Sequence, residues 1–441
     1  MNRRQVLTTG LQAGAALGLG PLVLSLARCG AGGGGADASA DSSDGSPEGL
    51  HDAAVAESEA RADSDTEASP GPHDVLLGLY RPADAADEQA AVRDVLDRLD
   101  ASWLVPGDSV LVKITSNSGN PHPAVTSPAA VAAVVAWLKE KGAGRVVVGE
   151  QAGAEQVRQL ADGRRYGSTR ATLAKNGLLD AIEGAGAEAH FFDDQPWETG
   201  FYALDLPAGH HWPQAPHVPA VLQQVDHLVV LPRLSSHLVA GASLGHKVAV
   251  GWLRDDSRFL LHNDGAFFYE RFAELCHAPD LAGRLRLVLT FAPKALLDMG
   301  PDAGTVYDLD PWLVLASSGL IAHDVVATGL LRHLDAVVPK GAQATIPYTA
   351  ARADALNRAL VTSFIPQASG LPWTAEGAGP YTKLEGQDPA STLSGDRVLA
   401  RAFDLTGGRP DAIRVTTLGA PLDPVVQAAL EAFGEGVARF S

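Results

Sequence analysis

The sequence predicts an α/β protein with a mostly parallel sheet flanked by helices, arranged as one large domain or as two lobes. Three observations support this fold class. Short apolar runs rich in β-branched residues recur along the chain, and such runs are typical of strands buried on both faces of a parallel sheet. Amphipathic helical patterns separate these runs through short links. From about residue 74 to residue 441 the composition is that of an ordinary globular protein.

The clearest elements form a strand, a helix and a second strand. Residues 109–114, Ser-Val-Leu-Val-Lys-Ile, predict a buried strand. Ser127 and Pro128 suit the N-cap and the first position of a helix that Gly142 ends. Residues 145–149 predict the next strand. Because the links are short, this order predicts a right-handed parallel βαβ unit.

The other elements follow the same two patterns. Further strands are predicted over residues 75–79, 187–192, 227–231, 285–291 and 412–417. Further helices are predicted over residues 86–99, 267–276, 320–331, 351–360 and 424–433. Residues 369–394 are rich in Gly, Pro, Ser and Thr, and this composition predicts a long surface loop or a lid.

The N-terminus has the three-part pattern of an export signal. Asn2-Arg3-Arg4-Gln5-Val6-Leu7 precedes an uncharged run over residues 8–27, and a polar segment follows. This pattern predicts a twin-arginine (Tat) signal over residues 1–29, with cleavage as late as residue 40 after Ala38-Ser39-Ala40. We therefore expect a periplasmic or other extracytoplasmic protein that meets the Tat translocase during export.

A membrane anchor or an ordinary secretory signal is the alternative, since the uncharged run nearly reaches the ~20 residues of a spanning helix. Leu26-Ala27-Arg28-Cys29 also resembles a lipoprotein box, although Arg28 stands where a small residue is usual. Membrane contact is expected only through such an uncleaved or lipidated N-terminus.

The chain has two cysteines. Cys29 would be removed or lipidated, and Cys276 lies in an apolar helical pattern that favours a buried small hydrophobe over a nucleophile. An iron–sulfur cluster is not expected, because it takes about four thiolates. The sequence leaves the identity of any other cofactor open.

Residues 30–73 predict a disordered acidic tether. They hold ten acidic residues and one basic residue, net −9 of the chain's −18, and almost no large apolar side chain. The remaining domain, residues 74–441, has 30 basic and 42 acidic residues and therefore no basic excess. A nucleic-acid partner is not expected.

Polar side chains follow three of the predicted strands, where open α/β sheets bind ligands. Lys113 and Asn117 lie at the end of the first strand, and Glu150 lies at the end of the second. The segment after the third strand is the densest polar cluster in the chain, and it contains His237, His246, Lys247, Arg258 and His262. The chain has no GxGxxG or Walker A sequence at these strand ends that would predict a nucleotide.

Lys113 and Lys247 each lie in an apolar run, where an unpaired ammonium group would be costly. Each should meet a carboxylate, a ligand or solvent. Together with Arg258, they predict a pocket for a small anion such as a carboxylate or a phosphate. Asp324, at the start of an apolar helix, is expected to bind the ligand, to pair with one of the lysines or to stabilise the helix N-terminus.

The histidines have two interpretations. His237 or His262 could transfer a proton, and His237, His246 and His262, with Glu150 nearby, could ligate a metal. Their spacings of nine and sixteen residues match no known metal signature. A single histidine is also often only structural, so both roles stay predictions.

Several motifs occur in an order that resembles one bacterial and archaeal family. They are Val110-Leu111-Val112-Lys113 with Asn117, residues 126–150, residues 231–237, residues 243–251, Arg258 with His262, Gly300-Pro301-x-x-Gly304, and residues 315–324. The family is domain of unknown function 362 (DUF362), and the resemblance covers about residues 75–331. Residues 332–441 would then be a C-terminal extension.

The resemblance implies a shared fold and a ligand pocket. Some family members carry a ferredoxin-like cluster domain, and many carry twin-arginine signals. This chain departs from the family pattern at Ser235, Ser236 and Val248, where lysine, threonine and asparagine are usual, and it has no cluster cysteines. We expect an enzyme that holds a small anionic substrate with Lys and Arg and moves a proton with His. The rival is a non-catalytic ligand-binding or redox-complex assembly protein.

Overall fold

A nine-stranded sheet forms the centre of the computed structural model, which describes residues 71–82, 86–339, 348–387 and 392–441. The predicted export signal and nearly all of the predicted tether lie outside these residues. The strand order is β15-β14-β1-β13-β12-β9-β2-β3-β6. These strands are β1 Asp74–Tyr80, β2 Ser109–Ile114, β3 Arg145–Glu150, β6 Glu188–Phe191, β9 His227–Leu231, β12 Leu285–Leu297, β13 Thr305–Ser317, β14 Ile413–Gly419 and β15 Ala438–Phe440.

Three short hairpins lie outside this sheet and pair β4 with β5, β7 with β8 and β10 with β11. Their strands are β4 Arg158–Gln159, β5 Arg165–Tyr166, β7 Phe201–Ala203, β8 His217–Pro219, β10 Ser236–His237 and β11 Gly241–Ala242.

The large sheet is mostly parallel, as predicted. Only β13 runs antiparallel to its neighbours, β1 and β12. In the centre, β2 pairs in parallel with β9 on one side and with β3 on the other, so that Lys113 lies opposite Val230 and Gly149. The carboxyl ends of these three strands therefore meet at one edge of the sheet. The described residues lie in a single compact unit, which favours the one-domain alternative over two lobes.

Helices cover both faces of the sheet. They are α1 Glu88–Leu96, α2 Pro128–Glu140, α3 Thr169–Asn176, α4 Leu178–Gly184, α5 Gly245–Val248, α6 Asp255–Asn263, α7 Glu270–Cys276, α8 Pro279–Ala282, α9 Leu320–Val337, α10 Ala350–Ala359, α11 Ile365–Ser369, α12 Arg397–Leu405 and α13 Pro424–Phe433. One core cluster packs α1, α2 and α4 on one face, and a second packs α9, α12 and α13 on the other. Within the described residues, no helix has the length and apolar character needed to cross a membrane.

Most of the predicted elements are present, and three of them, β2, β9 and α13, have the predicted bounds. The main omission is β13, whose last residues belong to the motif at residues 315–324 but to no predicted strand. Its first half, Thr305–Asp310, is mostly exposed, contains two aspartates and precedes Pro311, so it lacks the continuous apolar pattern of a buried strand. Two aromatic side chains of β1 and β13, Tyr80 and Trp312, lie opposite each other where the pairing of β13 with β1 ends.

The described part of the Gly- and Pro-rich segment up to residue 387 packs against the rest of the protein. Trp373 and Leu384 are buried, and Thr382 forms an isolated bridge with Asp264. The Trp373 ring packs against the Phe259 and His262 rings of α6, with centroids 5.9 and 5.6 Å away. This segment therefore forms part of the wall around His262.

Candidate functional site

Polar side chains from the carboxyl ends of β2, β3 and β9 converge at one edge of the sheet. Lys113 and Glu150 lie at the ends of β2 and β3, and Arg233 follows β9 by two residues. The next segments, α5 and α6, return over the same edge and bring Lys247, Arg258 and His262. Arg258 is joined to this edge by its hydrogen bonds to the Gln151 and Ala152 carbonyls, next to Glu150, and burial lowers the pKa values of Arg233, Lys247 and His262.

Lys113 and Glu150 form a buried ion pair at the base of the site. Lys113 Nζ lies 2.8 Å from Glu150 Oε1 and also donates to the Ile114 carbonyl at 2.6 Å. The carboxylate accepts two further hydrogen bonds, from the backbone N–H groups of Ser116 and Gln151, both at 2.8 Å. Burial lowers the pKa of Lys113 and raises the pKa of Glu150, while their mutual attraction opposes both shifts.

Two buried arginines lie beside this pair without a carboxylate partner in the described part of the chain. Arg258 donates to the Ala152 and Gln151 carbonyls at 2.6 and 2.9 Å, and its Nε has no acceptor. Arg233 donates to the Pro301 carbonyl at 2.9 Å, and its Nη2 has no acceptor. Burial lowers the pKa of Arg233 to about 10. Buried N–H groups without acceptors are unusual in folded proteins, and a bound anion would supply acceptors here.

Lys247 extends from α5 into the same region. Within the described residues, its ammonium group has neither a hydrogen bond nor an ion pair. Burial, and then the charges of Arg233 and Arg258, lower the pKa of Lys247 to about 7. Of the expected partners for Lys247, a carboxylate, a ligand or solvent, no carboxylate lies in contact among the described residues, and the residue is half-buried rather than buried.

An acid pair completes the polar wall. The amide nitrogen of Asn117 donates to Glu155 Oε1 at 2.7 Å and to Asp302 Oδ2 at 2.9 Å, so it bridges the two carboxyl groups. Burial, and then the charge of Asp302, raise the pKa of Glu155 to about 7. The buried position of Glu155 and the neighbouring charge therefore favour the protonated form of the Glu155 carboxyl group.

The two candidate proton-transfer histidines have opposite tautomers. His237 Nδ1 accepts hydrogen bonds from the backbone N–H groups of Val239 and Ala240 at 3.1 Å, so the neutral ring carries its proton on Nε2. His262 Nδ1 lies 2.6 Å from Asn357 Oδ1, and the Asn357 amide is oriented by its donation to the His262 carbonyl. The neutral His262 ring therefore has a lone pair on Nε2.

Both rings are neutral at pH 7. Burial lowers the pKa of His262 to about 4, and it lowers that of His237 well below its ordinary value. The charges of Lys247 and Arg233 add to the shift of His237. One ring can thus donate a proton or a hydrogen bond while the other accepts one.

The site as a whole carries an excess of positive charge. Its four basic side chains are Lys113, Arg233, Lys247 and Arg258, and they face the carboxyl groups of Glu150, Glu155 and Asp302, of which Glu155 has a raised pKa. A buried region in which basic side chains outnumber carboxylates suits an anionic ligand.

Asp324 and His246 occupy a different position from the one expected for ligand residues. Asp324 accepts hydrogen bonds from His246 Nδ1 and His323 Nδ1, both at 2.7 Å, and from the backbone N–H groups of Gly245 and His246. Burial alone would raise the pKa of Asp324, but the hydrogen bonds from His246 and His323 hold it below its usual range. Asp324 therefore binds the N-terminus of α5 instead of pairing with a lysine.

The three candidate metal ligands are not brought together as one donor set. His246 Nδ1 is taken by Asp324, and its Nε2 lies 3.3 Å from His277 Nε2. Across the ranges that the structure describes, no group of three or more His, Cys, Asp or Glu side chains is arranged to hold a metal ion. Cys276 is partly buried and donates to the His246 carbonyl at 3.4 Å, and burial raises the pKa of its thiol.

Sequence reasoning missed two residues of the site, Glu155 and Asp302. Arg233 lies two residues after a predicted strand, among the strand-end residues that the rule selects. Glu155 follows β3 by five residues in a loop without regular pattern, and Asp302 is one of the unspecified positions of the Gly300-Pro301-x-x-Gly304 motif. Gly300 does allow a close approach, since an added Cβ would lie 1.7 Å from the Ser236 carbonyl oxygen.

The fold and the site thus define an α/β protein with a cationic cluster at the carboxyl ends of its central strands. The family model for a domain of unknown function (DUF362) matches residues 110–329, from β2 into α9. This match supports the resemblance to that family over most of the expected region, although it does not include β1. No curated protein sequence matches the chain significantly.

Two solved structures show a distant similarity. The apoprotein of lactate racemase from Thermoanaerobacterium thermosaccharolyticum has a TM-score of 0.37 and 15% identity, over 58% of this chain and 56% of that one. A protein from Thermotoga maritima has a TM-score of 0.32 and 11% identity, over 56% of this chain and 59% of that one. The chain therefore spans little more than half the length of each structure.

Proposed function

We propose that the cluster at the ends of β2, β3 and β9 binds a small anionic substrate and catalyses a proton transfer on it. The observation that carries this proposal is the group formed by Arg233, Lys247 and Arg258, three cations without a carboxylate partner in the described residues. Arg233 and Arg258 are buried, and holding their charges away from water is costly unless a counter-charge arrives. A small carboxylate or phosphate would supply that charge.

The histidines provide the chemistry. His262 Nε2 has a lone pair and His237 Nε2 a proton, and both rings are neutral near pH 7. A substrate anchored by the cations would meet a base in His262 and a hydrogen-bond donor in His237. A positioned general base or acid typically contributes 10²–10⁴-fold to a rate.

Calorimetric titration tests the binding step. Acetate, succinate and inorganic phosphate are titrated into the full chain and into its Lys247→Met variant, with the exposed Lys141→Met as the matched control. A buried charge-assisted contact is worth about 1.5–3 kcal/mol, so Lys247→Met should weaken binding by about tenfold to a hundredfold. Binding of none of the three anions, or equal affinity in Lys247→Met, would contradict the proposal.

Solvent deuterium exchange then separates the enzyme from a binding protein. Incorporation of deuterium at a carbon of the bound acid, followed by NMR, should be slowed in His262→Gln by at least a hundredfold while the anion affinity changes little. Tight binding without exchange in the wild type would instead favour the non-catalytic ligand-binding alternative.

We also propose that the protein is exported by the twin-arginine route, on the basis of Arg3-Arg4 and the uncharged run after them. Residues 1–40 fused to a folded reporter should direct it out of the cytoplasm in a Tat-competent host. The Arg3→Lys, Arg4→Lys pair should abolish export. Export of the fusion in a host without the Tat translocase would disprove the route.

A further inference from the structure

A second cavity lies at the opposite edge of the large sheet from the cationic cluster. Arg286 and Leu287 are near the start of β12, and Ser318 follows the end of β13, which runs antiparallel to β12. Because β12 is parallel to β9, this is the edge where the parallel strands begin, whereas Lys113 and Glu150 lie where they end. The cavity has a volume of about 90 Å³, is partly open to solvent, and is lined by these first three residues together with Leu99, Asp100, Trp103 and Trp137.

Apolar side chains form most of the wall of this cavity. The rings of Trp103 and Trp137 have centroids 6.4 Å apart. The Trp103 ring also packs against the His227 ring in a T-shaped arrangement, with centroids 4.9 Å apart. Leu99 and Leu287 add aliphatic surface. A wall of packed aromatic and aliphatic side chains is typical of sites that bind small molecules.

Two donors among the lining residues lack acceptors. Trp137 is fully buried, and its indole N–H has no hydrogen-bond acceptor within the described residues. The half-buried Arg286 donates to the carbonyl of its neighbour Leu285 at 3.1 Å and has no carboxylate partner in the described part of the chain. An indole nitrogen and a guanidinium group can only donate. Since buried N–H groups nearly always find an acceptor in folded proteins, these two groups favour a ligand that supplies one.

Asp100 is the acidic side chain among the lining residues. It is exposed, and it accepts hydrogen bonds from the backbone N–H and the hydroxyl group of Ser102 at 2.9 and 2.7 Å. Water and salt screen the charge of such an exposed carboxylate. A negatively charged group inside the cavity would therefore meet mainly the donors of Trp137 and Arg286.

We propose that this cavity binds a small branched aliphatic carboxylic acid, of which isovalerate is a simple representative. The carboxylate accepts hydrogen bonds from the Trp137 indole N–H and the Arg286 guanidinium group, and the aliphatic part lies against Trp103 and Leu287. A water-sized group takes about 30 Å³, so the cavity encloses about three such groups and the rest of the ligand lies in its mouth. An aromatic ring is too large to be enclosed, because a buried benzene takes a cavity of about 150 Å³.

NMR titration of the full chain with isovalerate tests this proposal. The chain has seven tryptophans, whose indole groups give separate ¹H–¹⁵N signals, and the Trp137→Phe variant identifies the signal of Trp137. We expect that signal to move downfield and to saturate, because a new hydrogen bond to a carboxylate deshields the proton. The dissociation constant should be about 1 mM or lower, which so small a ligand can reach.

Calorimetry with matched variants and ligands identifies the contacts. Arg286→Met should weaken isovalerate binding by at least about tenfold, because a charge-assisted hydrogen bond is lost. Arg439→Met, at an exposed position on the outermost strand β15, is the matched control and should bind like the wild type. Isovaleramide has the same shape without the charge and should bind at least about tenfold more weakly. Lys247→Met should leave the shift of the Trp137 signal unchanged, which distinguishes this cavity from the proposed anion site.

Several results would overturn the inference. One is a Trp137 signal that stays in place while isovalerate saturates the protein, or that moves in the wild type but not in Lys247→Met. Others are equal affinity in Arg286→Met and in the wild type, and no binding of isovalerate up to about 10 mM. Should Trp137→Phe or Arg286→Met not fold, the two ligands still decide the matter on the wild type, because equal affinity for isovalerate and isovaleramide would exclude a site for a carboxylate.

Discussion

The Lys113–Glu150 ion pair allows the energetics of the site to be tested directly. Both side chains are almost fully buried, and Nζ and Oε1 are 2.8 Å apart. Glu150→Gln removes the negative charge and replaces one oxygen by an NH₂ group. Because both oxygens accept backbone hydrogen bonds, that NH₂ group must face at least one N–H donor. Removing one partner of a buried pair typically costs 3–5 kcal/mol, and we expect about 4 kcal/mol here.

Lys113→Met should cost less than Glu150→Gln. The remaining Glu150 carboxylate keeps its hydrogen bonds from Ser116 and Gln151 and the nearby charge of Arg258. We expect a loss of about 2–3 kcal/mol, because removing one partner leaves the other charge buried but here partly compensated. The double variant should lose clearly less than the sum of the two single variants, since it leaves no unpaired charge.

Urea denaturation followed by tryptophan fluorescence measures these free energies of unfolding. The surface pair Arg145–Glu188 is the matched control, because its side chains are about half exposed and such pairs contribute at most about 1 kcal/mol. The argument would be refuted if the double variant at Lys113 and Glu150 lost as much free energy of unfolding as the two single variants together. It would also be refuted if Glu150→Gln lost as little free energy of unfolding as Glu188→Gln.

Three further outcomes are expected. Gly251→Ala should lower the free energy of unfolding by about 1–3 kcal/mol in the same urea assay, because an added Cβ would lie 2.4 Å from Lys113 Nζ in a packed region. An unchanged urea midpoint would contradict this packing argument. Asp324→Asn should lower the thermal midpoint and weaken anion binding together, since its carboxylate holds α5. Anion affinity, measured by calorimetry, should fall as pH rises through about 7, because Lys247 loses its positive charge above its pKa; Lys247→Met should lack this step.

The sheet was predictable because its central strands are locally unambiguous. Residues 109–114 and 227–231 are continuous apolar runs of strand length, and burial on both faces makes such runs necessary. The strand-end rule then located Lys113, Asn117 and Glu150 in the site without knowledge of strand order. By contrast, β13 carries polar residues and a proline in its first half, so local pattern alone did not reveal its length.

Pairings between side chains far apart in sequence were not predictable. Asn117 and Asp302 are 185 residues apart, and only the fold brings the Asn117 amide between Asp302 and Glu155. The tautomers of His237 and His262 are likewise set by partners in a loop and in α10. A sequence motif identifies which residue types are available, whereas the folded backbone decides which of them meet.

Asp324 shows how a motif residue can serve a site that it does not line. Its carboxylate accepts the first two N–H groups of α5, and Gly245 permits this approach because an added Cβ would lie 2.6 Å from Asp324 Oδ1. The α5 helix has only four residues, too few to be stable on its own. Lys247 would therefore lose its orientation without this anchor. The buried Asp324 carboxylate would thus act on the proposed anion site through the backbone of α5, the helix that carries Lys247.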